Sequence, residues 1–386
     1  MQTSASSLTV DVLRHRALDE LRLANAEFQF LDGLEALLNT LREDPQLTPQ
    51  AAETRAATLV ERLVLQERMK QKERMHPEIK DVGIPDPLYI MGLPRTGTTL
   101  LHNLMAQHSG LHAPALWELM FPTDPHGQRS HCPERLRTEA GQRMLRRERK
   151  FPKAMAAHYM NADRPDECRI LMERSFRSMV DANQLRDARY QRWIVGSDMA
   201  GPLQYHRRQL QHILWRIPGP RPVLKDIYHM WFLPEVLQVY TDARIVILHR
   251  DPLECIPSAI SHSLLYRSHP PTKREMARIC DRWVHLLAEG TARMMAARSS
   301  LAPDQFLDVA YPQLLADPML TVERVADFAG LVTTAADIQL ASWYLAENPQ
   351  GGRGQHNYTL EELGLTRQGI NHAFADYRER FGAWAV

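Results

Sequence analysis

Cysteine is scarce in this chain. Cys132, Cys168, Cys255 and Cys280 are the only ones in 386 residues. None forms a C-x-x-C pair or any spacing typical of metal ligation, so a disulfide framework is excluded, no metal is expected, and a reducing compartment is implied. Net charge is scarce too. Lysine and arginine number 47 against 46 aspartates and glutamates, a formal +1. That balance excludes a general nucleic-acid binder, which carries a clear basic excess, but leaves room for an anionic ligand at a local cluster. No apolar run approaches the ~18 residues that a membrane span needs. The N-terminal stretch MQTSASSLTVDVLRHRALDE also lacks the apolar core of a signal peptide. A soluble, cytoplasmic protein is expected. Although aromatics are only 7% of the chain, hydrophobic residues make up 44%, enough for a substantial core.

What is present falls into two patterns. Residues 8–76 carry helical apolar spacing, interrupted at Asp44-Pro45 and Thr48-Pro49, with Thr48 placed to cap the helix that follows. This predicts a helical N-terminal extension over 1–84. From 85 onward, short apolar runs alternate with helical stretches. Pro87–Met91, Val223–Lys225, Ala243–Leu248 and Phe306–Val309 read as strands. Helices are expected at Thr98–Gln107, Phe232–Val239, from Pro252, and over Met319–Ala329, where Gly330 stops the last. The alternation predicts an α/β fold, a P-loop-like parallel sheet flanked by helices, spanning 85–386. A mostly helical insertion of about 116–215 carries no strand signal.

Between the first strand and its helix lies Gly92-Leu93-Pro94-Arg95-Thr96-Gly97-Thr98-Thr99. Glycines let backbone approach an anion, and the helix start offers free N–H groups and a favourable dipole. A P-loop nucleotidase has lysine directly after the second glycine; here Thr98 stands there and the cation, Arg95, comes earlier. A second strand-to-helix junction, His249-Arg250-Asp251-Pro252, puts Arg250 at a strand's C-terminal end, where parallel sheets bind ligands. Asp251 suits an N-cap and Pro252 the first helical position. Ser258 returns to the same helix face two turns later, past an unusual Pro257.

The arginine-first loop resembles the 5′-phosphosulfate loop of the PAPS-dependent sulfotransferases (PAPS is 3′-phosphoadenosine 5′-phosphosulfate), whose members often read GxPRSGTT or PKSGTT. The resemblance runs from about Pro87 to the C-terminus and is nearest to bacterial members related to the tyrosylprotein branch. It implies sulfuryl transfer from PAPS to a hydroxyl of a small-molecule or lipid acceptor. Donor contacts would come from Arg95, Thr96, Gly97, Thr98 and Thr99, and from Arg250 and Ser258 at the 3′-phosphate. Tyr311, in a Tyr-x-x-Leu segment, and Arg353, in a closing loop that also holds His356 and Tyr358, would complete the set. Lys225 would lie near the bridging oxygen. Glu118 would be the general base, with Glu167 in Arg164-Pro165-Asp166-Glu167 as runner-up.

Other features read as ordinary. His102, His108 and His112 are expected to pack or face solvent rather than act as the base, and the arginine-rich run 135–150 to be a solvated helix face. Trp193, Trp215, Trp231 and Trp283 are expected in the core. Two other functions stay open: a small-metabolite kinase, disfavoured by the missing lysine, and a non-catalytic nucleotide sensor, disfavoured by Glu118 and Lys225. The acceptor is not legible, and a homodimer is left open.

Overall fold

The computed structural model describes residues 8–126, 132–157, 159–217, 219–267, 270–348 and 359–385. They divide into two compact units, one formed by 1–83, 117–136 and 168–218 and the other by 84–116, 137–167 and 219–386.

The first unit is helical. Its N-terminal helices are Val10–Leu21, Leu31–Arg42 and Pro49–Met75. Thr48 caps the third as expected, its hydroxyl accepting from the Ala51 N–H at 3.2 Å. Leu13, Leu34, Leu38, Ala56 and Leu63 are wholly enclosed. These helices pack with the 168–217 stretch through a buried ion cluster: Arg62 donates to Asp181 at 2.6 and 3.2 Å and to Glu173 at 3.0 Å. Burial alone would lower the Arg62 pKa, but Asp181 and then Glu173 raise it above the ordinary guanidinium value. The charge is therefore kept, and breaking the cluster from one side would leave an uncompensated buried ion.

The second unit holds the sheet. Its strands are β1 (Leu88–Gly92), β2 (Leu111–His112), β3 (Arg221–Lys225), β4 (Arg244–His249) and β5 (Phe306–Ala310). Their order is β2-β3-β1-β4-β5, and every pairing is parallel. Parallel strands covered on both faces read as unbroken apolar runs. Leu-Tyr-Ile-Met-Gly of β1 is buried at every position, and β4 at all but its first. Leu88, Ile90, Val223, Val246 and Val309 join Leu101, Leu104, Val322 and Val325 from neighbouring helices in one core. Both candidate anion loops lie at C-terminal strand ends, on the adjacent strands β1 and β4.

Two expectations shift. Strand β2 was not anticipated, since two residues carry no periodicity. The helix expected from Phe232 begins as a tight 3-10 turn over His229–Phe232 before Leu233–Val239.

Candidate active site

The loop after β1 is shaped by its glycines. Gly92 has φ +147°, and a β-carbon there would sit 2.6 Å from the Leu248 carbonyl of β4. Gly97, at φ +88°, opens the Thr98–Met105 helix, and its β-carbon would lie 2.9 Å from the Tyr311 ring. Both therefore need glycine for conformation and for space. Arg95 also takes a left-handed φ of +70°, a strained state that tends to be kept where function uses it. Thr96 is fully buried, and its hydroxyl donates to the Leu93 carbonyl at 2.7 Å, closing the loop on itself. Its side chain braces the loop, which leaves its backbone for any anion. Arg95 and Thr99 are exposed. The helix's first intrahelical bond on this side runs from Leu101 N–H to Gly97 carbonyl, so the N–H groups before it are available to an anion.

Lys225, at the end of β3, is not a solvated strand end. It is almost wholly buried, its ammonium 2.7 Å from Glu167 and donating to the Thr99 hydroxyl at 2.8 Å. Lys225, Glu167 and the Thr98–Met105 helix thus meet within the sheet-bearing unit. His102 lies under them, a ring nitrogen 3.2 Å from the Val223 carbonyl. Burial first, and then Lys225, push its pKa down to about 3. A neutral imidazole bonded to a carbonyl through Nε2 must carry its proton there, which fits packing rather than catalysis.

The loop after β4 meets the first loop directly. Arg250 donates through Nη1 to the Arg95 carbonyl at 2.8 Å. Arg95 in turn donates from Nε to the Ser258 hydroxyl at 3.2 Å. The Arg250 guanidinium lies over the Tyr311 ring at 4.2 Å, so one tyrosine packs against Gly97 and supports Arg250. Desolvation, then the Arg250 charge, lower the Arg95 pKa from its ordinary value. Two cations held this close repel until an anion separates them. Sequence reading missed Glu254, which takes both Nε and Nη2 of Arg250 at 2.8 and 2.5 Å. The i,i+4 spacing was the available signal. Asp251 caps its helix as expected, accepting from Leu253 N–H at 3.0 Å.

Glu118 belongs to the helical unit and is 1% exposed. In that unit it opposes Arg216, whose buried guanidinium is pushed down to about 10, chiefly by desolvation. Arg216 stays charged at neutral pH and draws on that carboxylate. Arg353, His356 and Tyr358 lie outside the described residues. Of the four tryptophans, Trp231 is buried; Trp193, Trp215 and Trp283 are half-buried. All four cysteines are free, and no described helix is long and apolar enough to cross a membrane.

Strand order, with the arginine-first loop and Arg250 at the ends of adjacent parallel strands, defines an α/β fold. The chain belongs to the sulfotransferase family, whose model matches residues 87–335. It is 21% identical over 302 residues, 77% of this chain and 75% of the relative, to the omega-hydroxy-beta-dihydromenaquinone-9 sulfotransferase Stf3 of Mycobacterium bovis. Among solved structures it resembles sulfotransferase STF1 of Mycobacterium tuberculosis, with a TM-score of 0.82 at 26% identity over 95% of this chain and 98% of that one. STF9 of Mycobacterium avium shares the fold, with a TM-score of 0.83 at 24% identity over 97% of each chain. The protein is thus an enzyme of sulfuryl transfer, and the kinase and sensor alternatives fall away.

Proposed function

We propose that the protein transfers the sulfuryl group of PAPS to a hydroxyl of a small-molecule or lipid acceptor. The observation that carries this is the direct bond between the two cationic loops, Arg250 to the Arg95 carbonyl at 2.8 Å. One site then offers two separate cations, suiting a nucleotide phosphorylated at both its 3′ and 5′ ends, with Arg250 and Ser258 at the 3′-phosphate and Arg95 with the Gly97–Thr99 N–H groups at the 5′ end. The acceptor class follows the Mycobacterium relative, whose name gives it a hydroxylated menaquinone.

In the step itself, the acceptor oxygen forms a bond to sulfur as the bond from sulfur to the bridging oxygen breaks. That oxygen leaves with the electron pair on the nucleotide's phosphate. Lys225 neutralises it, and Arg95 steadies the equatorial oxygens in transit. The acceptor proton goes to a carboxylate. Glu167 is the better supported of the two candidates, because it touches Lys225 at 2.7 Å and Lys225 touches the loop helix at Thr99. The arriving donor draws Lys225 toward its own oxygens and releases Glu167 as the base. Glu118 is assigned to balancing Arg216.

Single-turnover rates with labelled PAPS and a hydroxylated isoprenoid quinone or long-chain alcohol test this. Glu167→Gln is expected to lower turnover by about 10²–10⁴-fold, the usual worth of a general base, with nucleotide affinity nearly unchanged. Near-normal turnover in Glu167→Gln alongside collapse in Glu118→Gln would return the base to Glu118.

A further inference from the structure

We propose that the C-terminal helix Ala375–Ala385 sets donor specificity by fixing the peptide that carries Arg250, with Tyr377 and Arg378 as positioning residues for the 3′-phosphate. The inference rests on the nucleotide reading above. Arg250 is flanked by His249 and Asp251, and consecutive residues of that helix hold both. The Tyr377 hydroxyl is 2.9 Å from His249 Nδ1. Arg378 donates to Asp251 at 2.6 Å, on the same oxygen that caps the following helix.

The hydrogen-bond directions close on one arrangement. His249 is wholly buried, and burial lowers its pKa although Asp308 opposes the shift. Its Nε2 lies 2.8 Å from Asp308 on the next strand. Asp308 is held ionised by the hydrogen bonds from His249 and Arg298, which push its carboxyl down to about 2. A carboxylate only accepts, so His249 carries its proton on Nε2 and Nδ1 accepts from Tyr377. Arg298 fixes the far end, bonding Asp308 at 2.7 and 3.0 Å, and the Phe381 ring stacks on His249 at 4.2 Å. A chain of bonds therefore runs from Arg298 on a long helix, through Asp308 and His249, to Tyr377, and His249 directly precedes Arg250 in the chain.

A fork such as guanidinium binds phosphate well only when its direction is set. The Arg250 side chain is steadied by Tyr311, Glu254 and the Arg95 carbonyl. The C-terminal helix grips the residues on either side of Arg250, His249 and Asp251, while the Arg250 carbonyl lies 4.0 Å from the Cys255 sulfur. Tyr377 and Arg378 make no hydrogen bond to residues 92–99 among those described, so the 5′ loop feels the helix only through the Arg250 bond to the Arg95 carbonyl.

The test is calorimetric. Tyr377→Phe removes one hydroxyl and keeps the ring; Arg378→Gln removes the charge; Arg378→Lys keeps it. The reading is the ratio of dissociation constants for adenosine 5′-phosphate and 3′-phosphoadenosine 5′-phosphate. We expect Tyr377→Phe and Arg378→Gln each to lower this preference by about tenfold, the worth of one lost net hydrogen bond, with adenosine 5′-phosphate affinity held. Arg378→Lys should restore much of it. Equal losses for both nucleotides, or an unchanged ratio, would overturn the positioning role. A wild-type protein without preference for the 3′-phosphorylated nucleotide would instead refute the donor reading on which the inference rests.

Discussion

Replacing Lys225 with methionine tests whether the site is built around an enclosed ion pair. The side chains of Lys225 and Glu167 are 3% and 10% exposed and lie 2.7 Å apart. On an open surface such a pair would contribute less than about 1 kcal/mol. Enclosed, the deletion of one member strands the other charge and costs about 3–5 kcal/mol. The hydrogen bond to Thr99 at 2.8 Å goes as well, for about 1 kcal/mol more. Glu167→Leu should be costly for the same reason, since it strands the ammonium. The double variant strands neither charge, and should recover to within about 2 kcal/mol of the parent. A double-mutant cycle therefore predicts a coupling of at least about 3 kcal/mol. Hydrogen exchange at the amides of β1 and β3 is the appropriate assay, because it reads the stability of the sheet-bearing unit itself. If the two single losses simply add in the double variant, the pair is not the enclosed ion pair described, and the reasoning that brings Glu167 to the reacting centre fails with it.

Gly97→Ala should weaken nucleotide binding by about tenfold or more and lower the melting temperature. The left-handed backbone and the 2.9 Å approach to Tyr311 cost about 1–3 kcal/mol together, and unchanged calorimetric affinity would count against the loop as the 5′ anion site. Glu254→Gln removes the carboxylate that occupies two Arg250 donors; it should raise affinity for 3′-phosphoadenosine 5′-phosphate several-fold and leave adenosine 5′-phosphate unaffected. Asp308→Asn probes acid stability. The folded carboxyl sits near 2 against an ordinary 3.8, so its stabilising share is present above about pH 4 and is lost as pH falls through 2. The melting-temperature gap between parent and variant should be constant from about pH 5 to 7 and close below pH 4; a gap that persists at pH 2 would refute the assignment.

Much of this was legible in the sequence, for definite reasons. Strands β1, β4 and β5 announce themselves because a doubly covered parallel sheet demands apolar runs. Thr48 and Asp251 announce themselves because orphaned helix N–H groups demand acceptors. The turn after β1 was readable because Gly92 and Gly97 leave no room for a side chain. What remained hidden depends on contacts between distant positions. Nothing local in Arg164-Pro165-Asp166-Glu167 says that its last carboxylate meets Lys225. Nothing in Tyr377-Arg378 says that it grips the residues around Arg250, although Tyr377 and Phe381, four residues apart, do mark a helix face meant for burial. The Thr96 bond to the Leu93 carbonyl, which closes the loop on itself, was not legible either, because it depends on the loop's folded path.

The central claim, a site built for a nucleotide with phosphates at both ends, is tested most directly by calorimetric titration of the wild-type protein and Arg250→Ala. The titrants are 3′-phosphoadenosine 5′-phosphate, adenosine 5′-phosphate and ATP with magnesium. The account predicts that wild type prefers the first over both others. It also predicts that Arg250→Ala loses about 1.5–3 kcal/mol of that binding, the worth of a charge-assisted contact, with adenosine 5′-phosphate nearly unaffected. Tighter binding of ATP, or equal losses for the two adenosine phosphates in the variant, would contradict it.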